Sequence, residues 1–240
     1  MGYAAVAAHA NLELAMEAST PETRVAKLGD LSLHDFLARL SAREPAPGGG
    51  AAAALAGATG AALGAMCAAY TSGEKFQAVE AQVRALEARF TELRDRVMAL
   101  LERDAQAYAA WAAARQLPKA SEPEKKARRA ALEQAKEAST AVPEALLAAA
   151  EDGLNALAEL GPLCNPSLLA DVPVAAQLFE AAARGACTQV LGNLGQPQPN
   201  SPEAARGAAA FERLARCIAV RGDVEAAVMK SWGWADDTGS

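Results

Sequence analysis

The stretch that most constrains this chain is Pro45-Ala46-Pro47-Gly48-Gly49-Gly50, which runs straight into Ala51-Ala52-Ala53-Ala54-Leu55-Ala56-Gly57. Two prolines stiffen the approach, and three glycines open backbone geometry that side-chained residues avoid. The small residues that follow predict a helix that neighbours can approach closely. A helix N-terminus leaves backbone N–H groups without partners and carries partial positive charge, so it suits a carboxylate or phosphate. A plain turn between two helices accounts for the same residues. The stretch has no GxxxxGK[ST] and follows no strand-like run, so neither the P-loop nor the dinucleotide fingerprint applies.

No segment alternates with period two long enough to build a sheet. The expected fold is all-α, an antiparallel bundle of five to six long helices that dimerises through an exposed apolar face. Residues 1–28 read as a helical appendage or linker before a bundle domain over 29–240. Ser32 and Asp35 resemble a capping box and open a helix striped by Leu33, Phe36, Leu37 and Leu40. The Ala/Gly helix then extends to about Tyr70. From Lys75 to about Arg115, Val79, Val83, Leu86, Phe90, Leu93, Val97, Leu100 and Leu101 recur at helical spacing. Ser121 starts a further helix, which bends or restarts at Pro143 and ends near Leu160. Asp171 reads as the cap of a helix to about Leu194, with Pro173 in its first turn and an interruption at Gly185. A last helix runs from Ser201 to about Trp234.

The net charge of −6 and the lack of a basic block argue against nucleic acid as a partner. Only two histidines are present, His9 and His34, and Cys67, Cys164, Cys187 and Cys217 show no CxxC spacing. That poverty disfavours a metal site or a His-based triad and predicts buried thiols in a reducing cytoplasm. Met1 to Ala18 lacks a basic start and is interrupted by Glu13 and Glu17, unlike a signal peptide. Gly48 to Thr71 is uncharged and about long enough to span a bilayer. Its Ala and Gly content instead suggests the buried central helix of a bundle without a membrane.

In order along the chain, several short signatures resemble the cyclodeaminase/cyclohydrolase family of folate enzymes. They are Ser32-Leu33-x-Asp35-Phe36, Ala46-Pro47-Gly48-Gly49-Gly50, Gly73-x-Lys75-Phe76, Asp104-Ala105-x-Ala107-Tyr108 and Leu117-Pro118-Lys119. They continue through Val142-Pro143, Asn165-Pro166, Asp171-Val172-x-Val174-Ala175-Ala176 and Asn193-Leu194. The resemblance implies a homodimeric helical bundle that binds a folate bearing a glutamate or polyglutamate tail, with no metal and no cofactor besides that substrate. It implies conversion of 5-formiminotetrahydrofolate to 5,10-methenyltetrahydrofolate and ammonia. The alternatives are hydrolysis of methenyltetrahydrofolate to the 10-formyl form, and a bundle that binds without catalysis.

The resemblance assigns catalysis to Asp104, whose alternative is an ordinary helix-surface carboxylate paired with a nearby Arg. Gly48, Gly49 and Gly50 become folate-contacting through their backbone N–H groups. Lys75 and Lys119 are candidates for the glutamate-tail carboxylates, or else solvated lysines. Asn165 and Asp171 are candidates for holding the pterin, and Asp171 can also serve as a cap. Arg128, in the run Lys125-Lys126-Ala127-Arg128-Arg129, reads as part of a solvated face. The chain departs from its relatives at Ala51 and Ala170, where they commonly carry Ser. It departs again at Gln189 and Gly192, ahead of Asn193.

Overall fold

Ser32 accepts the Asp35 N–H at 3.0 Å and so caps α1 (Leu33–Ser41) in this computed structural model, which describes residues 27–234. The helix expected before residue 27 lies outside the described residues. Of the predicted α1 stripe only Phe36 is buried, whereas Leu33 and Leu37 are largely exposed. The short helix sits at the edge of the bundle, and Phe36 is the side chain that seats it.

Five long helices follow: α2 (Gly49–Ala69), α3 (Glu80–Gln116), α4 (Glu122–Leu160), α5 (Asp171–Leu194) and α6 (Pro202–Ser231). The predicted start of α3 at Lys75 is corrected by five residues. Gly73, at φ +92°, accepts the Phe76 N–H, and Phe76 in turn accepts the Val79 N–H, so these residues are spent on turns. At α4, Ser121 and Glu124 form the full capping box, each side chain bonding the other residue's backbone.

Neighbouring long helices run antiparallel. Gly57 lies against Val97 and Gly64 against Phe90 where α2 meets α3. Arg89 on α3 bonds Asp152 and Glu159 on α4, while Arg128 reaches back to the Arg115 carbonyl. The Phe179 ring of α5 lies on Gly153 of α4, and Glu180 of α5 pairs with Arg221 of α6. The connections 42–48, 117–121 and 195–201 therefore share one end of the bundle, and 70–79 and 161–170 share the other. Phe90, Leu93, Val97 and Leu101 of α3 meet Leu147, Leu154 and Leu157 of α4 and Val172, Phe179 and Val190 of α5 in a closed core. Removal of these side chains from water is the main favourable term for such a fold.

The expected restart at Pro143 and interruption at Gly185 are absent. α4 runs unbroken through Pro143. Proline has no N–H to give the carbonyl four residues earlier, and that carbonyl, on Ser139, instead accepts Asn193 Nδ2 at 2.7 Å. α5 likewise continues through Gly185, because the glycine serves a helix contact. A Cβ there would stand 2.8 Å from the Ala53 Cβ. A third expectation is also corrected. Asp171 is the first residue of α5 rather than its cap, and the preceding Ala170 makes no side-chain bond. The Asp171 charge still complements the positive end of the helix.

Among the described residues α2 is the one helix long and apolar enough to cross a membrane. It lies between α3 and α5 and buries eleven of its 21 residues. All four cysteines are buried and unpaired.

Candidate active site

The glycine turn and the acid near the end of α3 meet at one place. Gly48 is the N-cap of α2, and Gly49 and Gly50 form its first turn. The turn is approached through a cis Ala46–Pro47 bond. Asp104 lies against Gly50 so closely that a Cβ at that position would collide with the carboxylate. A glycine is required there because the acid occupies the side chain's place. Burial pushes the Asp104 carboxyl above the usual aspartate range, and a hydrogen bond from the Ala51 N–H pulls the other way. The N-terminal end of α2 also favours the ionised form. The result is a carboxyl that both keeps a proton more readily than usual and sits beside donors that stabilise its anion.

Asp104 opens into a cavity of about 690 Å³. Tyr108 and Trp111 of α3 form one wall, their rings 6.0 Å apart, and the Arg115 guanidinium stacks 4.8 Å from the Trp111 ring centre. α4 contributes Leu132, Lys136 and Ser139, and α5 contributes Gln189, Gly192 and Asn193. The volume is in the range of small-molecule sites. Two aromatic rings, a carboxyl, an ammonium and two side-chain amides suit a flat, polar heterocycle.

Leu132 also borders a smaller hollow of about 400 Å³ lined by Lys119, Lys125, Arg128 and Arg129. Arg128 corrects the expectation of a solvated face. It is half-buried, with one amino group 3.3 Å from the Arg115 carbonyl and its Nε buried without a partner. Another cavity, of about 580 Å³, lies between α4 and α6, where Leu157, Leu169, Val224 and Val228 face Asp223 as the sole carboxylate. Its lining lacks the convergent polar groups of the Asp104 site.

Of the candidates read from sequence, Gly48, Gly49, Gly50 and Asp104 come together, and Lys119 lines the adjoining basic hollow. Lys75, Asn165 and Asp171 do not join them within one chain. They lie at the other end of α2, about 30 Å away by helix rise. Asn165 is used there as a staple. Its Nδ2 donates to the Tyr70 carbonyl at 3.0 Å, its N–H to Thr71 Oγ1 at 3.0 Å, and its Oδ1 accepts the Ser167 N–H. Lys136, Ser139 and Leu132 were not foreseen as site residues. Their spacing puts them on one face of α4, a signal that needs the register of α4 against α3 to be read. Among the described residues, no group of three or more His, Cys, Asp or Glu side chains is placed to hold a metal ion.

The family model described as formiminotransferase-cyclodeaminase matches residues 32–206, which include every wall of this cavity. The chain belongs to the formiminotransferase-cyclodeaminase family. It is 37% identical over 166 residues to rat formimidoyltransferase-cyclodeaminase, covering 69% of this chain and 31% of the rat protein. It is 32% identical, over 69% of its own length and 80% of the other's, to a methenyltetrahydrofolate cyclohydrolase from Methylorubrum extorquens. A crystal structure of formiminotetrahydrofolate cyclodeaminase from Thermotoga maritima superimposes with a TM-score of 0.74 at 25% identity, covering 85% of this chain and 98% of that one. This family member thus spans about a third of the length of its mammalian relatives.

The raised Asp104 pKa has a consequence for stability. The folded state holds this proton more tightly than the unfolded chain. Stability is therefore greatest below the ordinary aspartate value and falls as pH rises to the raised one. Above the raised value the ionised carboxylate is a net burden on the fold. Asp104→Asn is expected to melt at or above the wild-type temperature at pH 7, and to show less loss of stability between pH 4 and pH 7. Thermal melts across that range check both.

Proposed function

We propose that this protein closes 5-formiminotetrahydrofolate to 5,10-methenyltetrahydrofolate with release of ammonia, and that Asp104 carries the proton. The observation that supports this most is the half-buried, proton-retaining carboxyl seated on the first turn of α2. N10 attacks the carbon of the protonated formimino group and loses a proton, and the resulting amino nitrogen must gain one to leave as ammonia, so the single positive charge passes to the methenyl product. One carboxyl between the two nitrogens can accept the first proton and deliver the second. Such a group contributes about 10²–10⁴-fold when its pKa is drawn toward working pH. The carbon keeps its oxidation state throughout, so the step needs no electron carrier. The ionised carboxylate then faces the cationic methenyl product, whose charge it stabilises.

In this reading the pterin lies against Tyr108 and Trp111, with the N–H groups of the glycine turn on its polar edge. The glutamate tail extends past Leu132 toward Lys119, Arg128 and Arg129. Hydrolysis of methenyltetrahydrofolate is the second reading. It is favoured by the match over 80% of the length of the bacterial cyclohydrolase, and it requires that water reach the methenyl carbon. Ala51 is fully buried, and the hydroxyl that relatives commonly carry at this place is missing here. Its loss removes one group that could order such a water.

We further propose a homodimer. α2 has a mean hydropathy of 1.6 over its most apolar window, yet only 56% of that window is buried. The remainder forms one uncharged face, Ala52, Leu55, Ala56, Thr59, Ala62 and Met66 at helical spacing. A twofold axis through the middle of this face would run two α2 helices antiparallel. It would bring the Lys75–Asn165 end of one protomer toward the Asp104 cavity of its partner.

Two measurements test these readings. Incubation with 5-formiminotetrahydrofolate is expected to raise methenyl absorbance and release ammonia stoichiometrically. Absorbance lost from methenyltetrahydrofolate would instead establish the hydrolase, and no change with either folate would remove both enzymes. For the dimer, Thr59→Arg is expected to sediment as a folded monomer where the wild type sediments as a dimer. A monomeric wild type contradicts it.

A further inference from the structure

The cavity contains a side-chain amide whose orientation is fixed by a defect in the opposite helix. Pro143 lies inside α4 and is buried. A residue with an N–H at this place would donate to the Ser139 carbonyl in the regular i to i−4 pattern. Proline cannot, and its ring crowds that carbonyl as well. The carbonyl is therefore free, on a residue that lines the Asp104 cavity, and Asn193 Nδ2 of α5 takes it at 2.7 Å. This bond settles which way the amide faces, because the reverse orientation would set two acceptors against each other at that distance. Asn193 Oδ1 is left as an acceptor, and no donor among the described residues bonds to it. The residue lies in the same cavity as Asp104, and one turn along α5 Gln189 reaches the glycine turn at Gly49.

We propose that Asn193 Oδ1 accepts an N–H of the formimino nitrogen as that nitrogen departs, and that Pro143 is the positioning residue that aims it. The proposal rests on the cyclodeaminase reading above. An N–H held by Asn193 turns the lone pair of the departing nitrogen toward the proton on Asp104. The amide gains no proton and forms no bond; it orients the leaving group. Gln189, longer by one methylene, and Gly192, with no side chain, leave Asn193 as the anchored amide at this end of α5. The helix defect in α4 and the amide on α5 thus form one device, although they are fifty residues apart (Pro143 to Asn193).

The device predicts an outcome opposite to a structural role. Pro143→Ala restores an N–H to α4, which competes with Asn193 for the Ser139 carbonyl and repairs the helix. The variant is expected to melt at or above the wild-type temperature while kcat falls on the order of 10²-fold, the scale of a misplaced reacting group. KM should change less than about three-fold, because the amide acts on the leaving nitrogen and not on the bulk of the substrate. Asn193→Leu should show the same split between kcat and KM. In ¹H–¹⁵N spectra, the Asn193 side-chain amide, identified by its loss in Asn193→Leu, should shift toward solvent-like values in Pro143→Ala. If Pro143→Ala and Asn193→Leu both turn over within two-fold of an active wild type, or if the amide signal does not move, the inference fails and the cyclodeaminase reading stands. A wild type that releases no ammonia from 5-formiminotetrahydrofolate removes the reading and this inference together.

Discussion

The contact between Gly50 and the Asp104 carboxylate is the constraint on which the rest of the site depends. A carboxyl can be buried against the first turn of a helix only where that turn has no side chain and its N–H groups point toward the acid. Gly50 supplies the space, and the Ala51 N–H supplies the bond. Close packing of α2 against α3 then fixes the height at which Asp104 meets the turn, since Val97 and Phe90 seat on the same helix at Gly57 and Gly64. The site is therefore a product of helix packing. Its one loop-borne element among the described residues is the Pro45–Gly48 approach.

Burial and the helix terminus pull Asp104 in opposite directions, and that opposition is what a proton carrier needs. Burial favours the protonated form. The N–H groups at the start of α2 favour the ionised form. With both, the two protonation states are brought nearer in free energy, which lowers the cost of passing a proton in and out within one turnover. The surrounding wall follows from the same bundle geometry. α3, α4 and α5 each contribute residues from the end that faces the glycine turn, and Trp111, Lys136 and Asn193 are brought to one cavity by register alone.

Much of the fold was legible in the sequence. Ser32, Ser121 and Ser201 each marked a helix start, and the α3 stripe from Val83 to Leu101 is the buried seam of the bundle. The misreadings share a cause: local rules were overridden from another helix. Pro143 was read as a bend or restart because its missing donor is visible in sequence and the replacement from Asn193 is not. Gly185 was read as an interruption because the Ala53 side chain it accommodates is on α2. Arg128 was read as solvated because the Arg115 carbonyl it bonds belongs to the preceding helix. Among the site candidates, Gly48–Gly50 and Asp104 line one cavity and Lys119 borders the hollow beside it, whereas that hollow itself was not read from the sequence. Lys75, Asn165 and Asp171 were grouped with them, although within one chain an up-and-down bundle alternates its connections between ends. That alternation puts 70–79 and 161–170 opposite the glycine turn, and it could have been read in advance.

The central claim is that Asp104, lifted by burial beside the α2 terminus, is the group whose protonation controls turnover. Its carboxyl ¹³C shift, followed through a pH titration and identified by its loss in Asp104→Asn, tests this most directly. The account predicts a midpoint above the ordinary aspartate value that coincides with the acid limb of kcat/KM for ammonia release. A midpoint at or below that value, or an acid limb that survives in Asp104→Asn, would contradict it.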